Sequence, residues 1–368
     1  MKYFWNLFKN IDRALVILPL CFALISIVMI SSTASEGHFV FNKYVTIQIV
    51  AYFLGFAAIA LVLLIDYKVF ENWERPLYIT SVLVLLTVYI PHLGVEQYGS
   101  RAWINLGIMN FQPSEIVKIT FVILLALYFR RNHDNLWSYK GVLMSALYAS
   151  PFIVIVLKED LGGAIVLCFI WLAMVFYAGI DYRILGKFSC LFAISLPIVY
   201  RFMASHQKER IDAFLHPTNL GLGGNYQVWQ SKVAIGSGGF FGKGLFQGTQ
   251  KELKFVPVQK SDFIYSVIVE ELGMIGGAVV ILLYAIFLYR IAKIAYNAKD
   301  DFGALIAVGF IGMFGFQVFE NIAMTMGIMP VTGITLPFIS YGGSSVLANL
   351  IALGLILNVG IRSKIINF

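Results

Sequence analysis

The chain has 368 residues, 59% of them hydrophobic and 13% charged, with a net charge of +7 and a mean hydropathy of +0.81. That composition excludes a set of two or three soluble domains and implies an all-α polytopic membrane protein. A bilayer core of ~30 Å takes ~20 apolar residues per helix and leaves every backbone group to be satisfied within the span. The apolar runs are too long and continuous for the alternating ~10-residue strands of an outer-membrane barrel.

In chain order, ten apolar spans fall at 14–34, 44–65, 76–92, 113–130, 141–157, 162–180, 188–203, 263–289, 303–327 and 341–361. The first is preceded by Lys2, Lys9 and Arg13 and followed by ISSTAS, as a signal peptide would be. Its apolar region is too long for one, and it reads as an uncleaved anchor. Cys21, Cys168 and Cys190 all lie in apolar runs and form no disulfide or metal pattern. With the N-terminus inside, the inner loops and tails carry fifteen basic residues: Lys2, Lys9, Arg13, Lys68, Arg75, Arg130, Arg131, Lys140, Arg183, Lys187, Arg290, Lys293, Lys299, Arg362 and Lys364. The short outer loops carry three, Lys43, Arg101 and Lys158. This bias puts both termini in the cytoplasm. It also accounts for the basic excess as orientation and contact with anionic lipid, not nucleic-acid binding.

The exception to the short loops is 204–261, a long outer segment between spans seven and eight within a single membrane domain, 1–368. Loops this long are functional or disordered, and Tyr226, Trp229, Phe240 and Phe241 argue for a folded cap with short amphipathic pieces. Its GSGGFFGKG, 236–244, fails the P-loop pattern, since Gly244 follows Lys243 where Ser or Thr is required. The glycine-rich backbone remains a candidate anion nest. Arg101, Arg210, Lys232 and Lys243 are candidate partners for a diphosphate, each with surface charge as the plainer alternative.

Acids and bases inside spans mark sites or structural pairs. Glu115 and Lys118, in FQPSEIVKIT, are three apart and share a helix face. They are either an ion pair that pins packing or part of a site. Asp262 opens the eighth span and is either a first-turn acid favoured by the helix dipole or a chemical group. Spans four and eight both enter from outside, so Glu115, Lys118 and Asp262 lie at similar depth. Glu270 and Glu271 are about 12 Å deeper at 1.5 Å per residue, and read as structural contacts within the bundle. Asp160, in KEDLGG, reads as a cap for the next helix. Gln317, Glu320 and Asn321 form a polar cluster in span nine. In 326–345, Pro330, Gly333 and Pro337 forbid a regular helix, so this apolar stretch is expected against protein or a cavity wall. His38, His92, His133, His206 and His216 show no metal-ligand spacing.

Six ordered segments, GVEQYGSRAWINLG, FQPSEIVKI, EDLGGAIV, AIGSGGFFGKGLFQGTQ, SDFIYSVIVEELG and PVTGITLPFISYGGSS, together resemble the SEDS family of RodA, FtsW and SpoVE. The resemblance covers nearly the whole chain; NIAMTMGIMPVTG and IDRALV favour the RodA branch, while GITLPF is also similar to SpoVE. It implies a multi-pass protein of the bacterial cytoplasmic membrane that polymerises lipid II into glycan strands beside a class B penicillin-binding protein. It implies Asp262 as the essential aspartate and implicates Glu115 and Lys118; the chemistry of such a transfer makes Asp262 the candidate general base, with Glu115, Lys118 and Asp160 as supporting residues. Where relatives carry PE-x-HTD this chain reads PVQKSD, with Val258 for an acid and Lys260 for a histidine, and PDLGT reads EDLGG. A divalent cation, Mg or Mn, is a candidate cofactor that the sequence does not determine. Two rival readings use the same polar residues: a flippase for the lipid-linked precursor, and a non-catalytic scaffold for the partner synthase.

Overall fold

The computed structural model describes residues 11–364 except 35–36, 92, 98–99, 106, 108–109, 133–137, 182, 185, 188–189, 191–193, 195–196, 198, 202, 220, 222 and 253–257. Its helices are α1 (Arg13–Ser32), α2 (Lys43–Leu64), α3 (Glu74–Leu86), α4 (Pro113–Arg131), α5 (Tyr139–Glu159), α6 (Leu161–Tyr177), α7 (Ser205–Leu215), α8 (Gly223–Gly238), α9 (Ile264–Tyr296), α10 (Asp301–Thr325) and α11 (Gly343–Lys364). Six of them, α1, α2, α5, α9, α10 and α11, are long and apolar enough to cross a membrane. The chain is a polytopic helical membrane protein. Large apolar side chains such as Leu24, Phe53 and Leu147 stand exposed, as a lipid-facing surface requires. Most of the span expected at 188–203 lies outside the described residues.

The helix starts follow local chemistry. Asp12, Asn42, Ser138, Asp160 and Asp300 each cap a helix by accepting from a first-turn N–H. Pro113 opens α4, where a missing N–H costs nothing. Helix α4 runs through the interior, with Leu124, Leu125 and Ala126 fully buried. This explains how it can carry Glu115 and Lys118.

Two departures from a plain helical bundle matter for the site. Three short strands, β1 (Gly94–Gln97), β2 (Ser100–Asn105) and β3 (Asn110–Phe111), form an antiparallel sheet, with Val95 opposite Trp103 and Ile104 opposite Phe111. The sheet docks on the end of α5 through the Ser100 hydroxyl to the Glu159 carbonyl, 2.7 Å, and the Arg101 N–H to the Glu159 carboxylate, 2.8 Å.

The second departure is a break in α9 at Gly273, whose φ of 70° and ψ of −174° are not helical. The glycine-rich loop enters there. The N–H groups of Lys243 and Gly244 donate to the carbonyls of Glu270 and Glu271, both at 3.0 Å, and that of Met274 donates to the Gly239 carbonyl at 2.9 Å. A Cβ on Gly242 would stand 2.1 Å from the Glu271 oxygen, and one on Gly273 2.3 Å from the Phe240 oxygen. Gly238, Gly239, Gly242 and Gly244 of GSGGFFGKG therefore serve a backbone-to-backbone splice.

Candidate active site

The non-helical stretch between α10 and α11 forms one wall of the site. Its carbonyls are satisfied by buried side chains, as non-helical backbone at membrane depth demands. Asn321 donates to the Ile334 carbonyl (2.8 Å), Tyr52 to Phe338 (2.6 Å), Gln48 to Ser340 (3.0 Å) and Arg210 to Thr332 (2.9 Å). Tyr284 donates to the Pro337 carbonyl. Phe338, at φ 67°, is fixed by stacking on Phe22 and Phe314 and edge-on against Phe287.

Against this wall lies a cavity of about 320 Å³. Four helix starts open onto it: α4 through Gln112, Glu115 and Lys118; α6 through Asp160, Leu161 and Gly163; α9 through Ser261 and Asp262; α11 through Gly343, Ser344 and Ser345. Helix α7 adds Arg210, and β2 adds Ser100 and Trp103. Each start turns the positive end of a helix dipole toward the cavity, where the carboxylates of Glu115, Glu159, Asp160 and Asp262 stand among the cations Lys118, Arg210 and Lys260.

The charged groups within it are ordered. Lys118 Nζ lies 2.8 Å from Glu115 Oε1, with both side chains at most 10% exposed. Asp160 caps α6 by accepting from the Gly163 N–H at 2.9 Å and accepts from the Gln112 amide at 3.1 Å. Burial pushes the Asp160 carboxyl above the usual carboxylate range, while the Gly163 N–H and Lys118 oppose the shift. Asp262 sits on a closed turn before α9, its N–H and that of Ser261 both donating to the Val258 carbonyl. Its own carbonyl accepts from Asn321 at 2.9 Å. Burial likewise raises the Asp262 carboxyl, the Ser261 hydroxyl and Arg210 hold it down, and Asp160 pushes it further up. Among the described residues no three His, Cys, Asp or Glu come together to hold a metal ion.

A family model described as "Cell cycle protein", covering FtsW, RodA and SpoVE, matches residues 10–365. The chain belongs to this family, the SEDS proteins. It is 35% identical over 364 residues to stage V sporulation protein E of Bacillus subtilis (strain 168), covering 96% of this chain and 98% of that one. It is 32% identical over 367 residues to peptidoglycan glycosyltransferase MrdB of Escherichia coli (strain K12), covering 100% and 97%. Among solved structures it matches, with a TM-score of 0.79 and 33% identity over 96% of this chain and 98% of the other, a chain described under structural coordination of polymerization and crosslinking by a peptidoglycan synthase complex.

In this SEDS protein the cavity unites five of the residues singled out in the sequence, Asp262, Glu115, Lys118, Asp160 and Arg210. Three others stand apart from it. Lys243 binds the buried Glu270 carboxylate at 2.7 Å, the side chain of Lys232 packs over Gly327, and that of Arg101 lies beside Gly94. The reason is that Glu270 is 1% exposed and a carboxylate so buried requires a cation. Glu270 also accepts from the Gln250 N–H (2.9 Å), and Glu271 from Ser32 (2.5 Å) and the Phe246 N–H (3.1 Å). Both are structural contacts within the bundle. Sequence reasoning missed Gln48 and Lys260. The signal for Gln48 is a lone amide in the apolar run 44–65; that for Lys260 is a cation two residues from Asp262 on a turn.

Proposed function

We propose that this SEDS protein is a peptidoglycan glycosyltransferase that polymerises lipid II at the outer face of the cytoplasmic membrane. The observation that carries the reading is the Asp262 carboxylate in a cavity that it shares with Arg210 and with the starts of four helices. A lipid-linked disaccharide brings an anomeric carbon bearing a diphosphate, a group that cations and helix starts bind. An acceptor sugar hydroxyl attacks that carbon as the carbon–phosphate-oxygen bond breaks. The bonding pair leaves on the diphosphate and the hydroxyl proton passes to Asp262. One carboxylate suffices, because the diphosphate departs without being protonated, unlike the leaving group in glycoside hydrolysis. A carboxyl raised toward ambient pH is a better base than an ordinary aspartate. Arg210 opposes the rise that burial imposes on the carboxyl, and Glu115, Lys118 and Asp160 shape the surrounding field.

The positive-inside pattern supports ten spans, with both termini cytoplasmic and the cavity facing outward. The related chain in a polymerising and crosslinking complex supports a class B penicillin-binding protein as partner. The NIAMTMGIMPVTG segment supports service in elongation and cell shape.

The test is a purified complex supplied with lipid II and no translocation machinery. Glycan strands on a gel support the reading. Lipid II that crosses vesicle membranes without being polymerised would support a flippase instead.

A further inference from the structure

The cavity's cations are not equivalent. Lys118 is neutralised by Glu115 at 2.8 Å. Arg210 donates to the Thr332 carbonyl and holds down the acidity of Asp262. Lys260 also lines the cavity and has no carboxylate partner among the described residues. Its Nζ stands 3.2 Å from the centroid of the Tyr44 ring and 5.6 Å from that of Tyr341. A ring face attracts and orients an ammonium without cancelling its charge, so Lys260 is held in place yet keeps its positive charge.

Its backbone is fixed equally well. Lys260 and Asp262 share the turn closed on the Val258 carbonyl. The Tyr341 N–H donates to the Lys260 carbonyl at 2.9 Å, and the Ser340 hydroxyl to the Ser261 carbonyl at 2.5 Å. These bonds latch the turn to the start of α11, whose Gly343–Ser345 stretch faces the same cavity.

We propose that Lys260, with Tyr44 and Tyr341 as its cradle, holds the diphosphate of the polyprenyl-linked donor and takes up the charge released when it leaves. This rests on the glycosyltransferase reading above and assigns its two halves to one turn. Asp262 accepts the hydroxyl proton, and two residues away Lys260 receives the leaving diphosphate.

The experiment uses the partner-bound full chain as wild type, Lys260→Gln, Lys260→Arg and Asp262→Asn. Binding of inorganic pyrophosphate and of a short-chain polyprenyl diphosphate is measured by calorimetry, alongside KM and kcat for lipid II. Loss of one charge-assisted contact predicts diphosphate binding about tenfold weaker or more in Lys260→Gln, with Lys260→Arg within about threefold of wild type. Asp262→Asn binds diphosphate normally while losing turnover. Wild-type affinity in Lys260→Gln overturns the inference, as does Lys260→Arg binding as weakly as the glutamine variant, which would trace the effect to packing. Melting temperatures within a few degrees of wild type confirm that the variants are folded; should Lys260→Gln not fold, Lys260→Arg decides. Failure of the wild-type complex to make polymer removes the glycosyltransferase reading and this inference with it, whereas equal diphosphate binding by a polymerising wild type and Lys260→Gln removes this inference alone.

Discussion

Asp262 and Arg210 face each other across Gly333: a Cβ built there would stand 3.7 Å from Asp262 Oδ2 and 3.5 Å from Arg210 Nη1. With no side chain at Gly333, the guanidinium and the carboxylate share an open space. Arg210 is one of the groups opposing the rise that burial imposes on Asp262. Replacing Arg210 with Gln removes that opposition and raises the Asp262 pKa further. The acid limb of the polymerisation rate, set by the fraction of Asp262 that is ionised, then moves to higher pH. A pH profile of kcat/KM checks this, and a limb that stays put or moves to lower pH would contradict it.

Stability at neutral pH is expected to rise or stay level in Asp262→Asn. Burial lifts the folded-state pKa above the unfolded value of about 3.9. The ionised carboxylate therefore opposes folding, by an amount that is absent below the unfolded pKa, grows as pH rises to the folded pKa and is constant above it. A neutral amide relieves that opposition. Thermal unfolding of wild type and variant at neutral pH measures it, and a clear loss of melting temperature would mean that Asp262 serves the fold.

Gly242→Ala and Gly273→Ala each drive a methyl into backbone, at 2.1 Å and 2.3 Å, from residues at positive φ. The expected cost is on the order of 3 kcal/mol or more, seen as lost melting temperature or poor yield of folded protein. Normal stability with a raised KM for lipid II would show that the loop binds substrate after all.

Lys243 gives a complementary test. Lys243→Met strands the Glu270 carboxylate, which is 1% exposed, at a cost on the order of 3 kcal/mol. Lys243→Met combined with Glu270→Gln restores part of the loss. KM for lipid II in the folded fraction is expected to match wild type. A selective rise in KM would return Lys243 to the substrate.

The helices were legible because apolar runs of the right length leave few options in a bilayer. The span read as 341–361 is helix 343–364, and 303–327 is helix 301–325. The end of α9 was less so: it continues past 289 to Tyr296, carrying Arg290, whose guanidinium pairs with Asp12 at 2.7 Å. The break at Gly273 was hidden, because a glycine in an apolar helix usually signals close packing. The sheet at 94–111 was hidden too, since its strands are short and it is anchored by Glu159, distant in sequence. In the site, the acids were legible from their intrinsic cost in a membrane. The cations were harder, because which one is free depends on which buried acid claims the others. The pairing of Lys118 with Glu115 was readable from their spacing of three on one helix face, whereas that of Lys243 with Glu270 joins a loop to a distant helix and does not follow from the sequence.

The account turns on proton transfer to one carboxylate. The most direct measurement is strand formation from lipid II by Asp262→Asn in the intact complex, normalised to folded, partner-bound protein. Removal of a general base predicts a fall in rate of about 100-fold or more with lipid II binding retained. Strand formation within a few fold of wild type would contradict it.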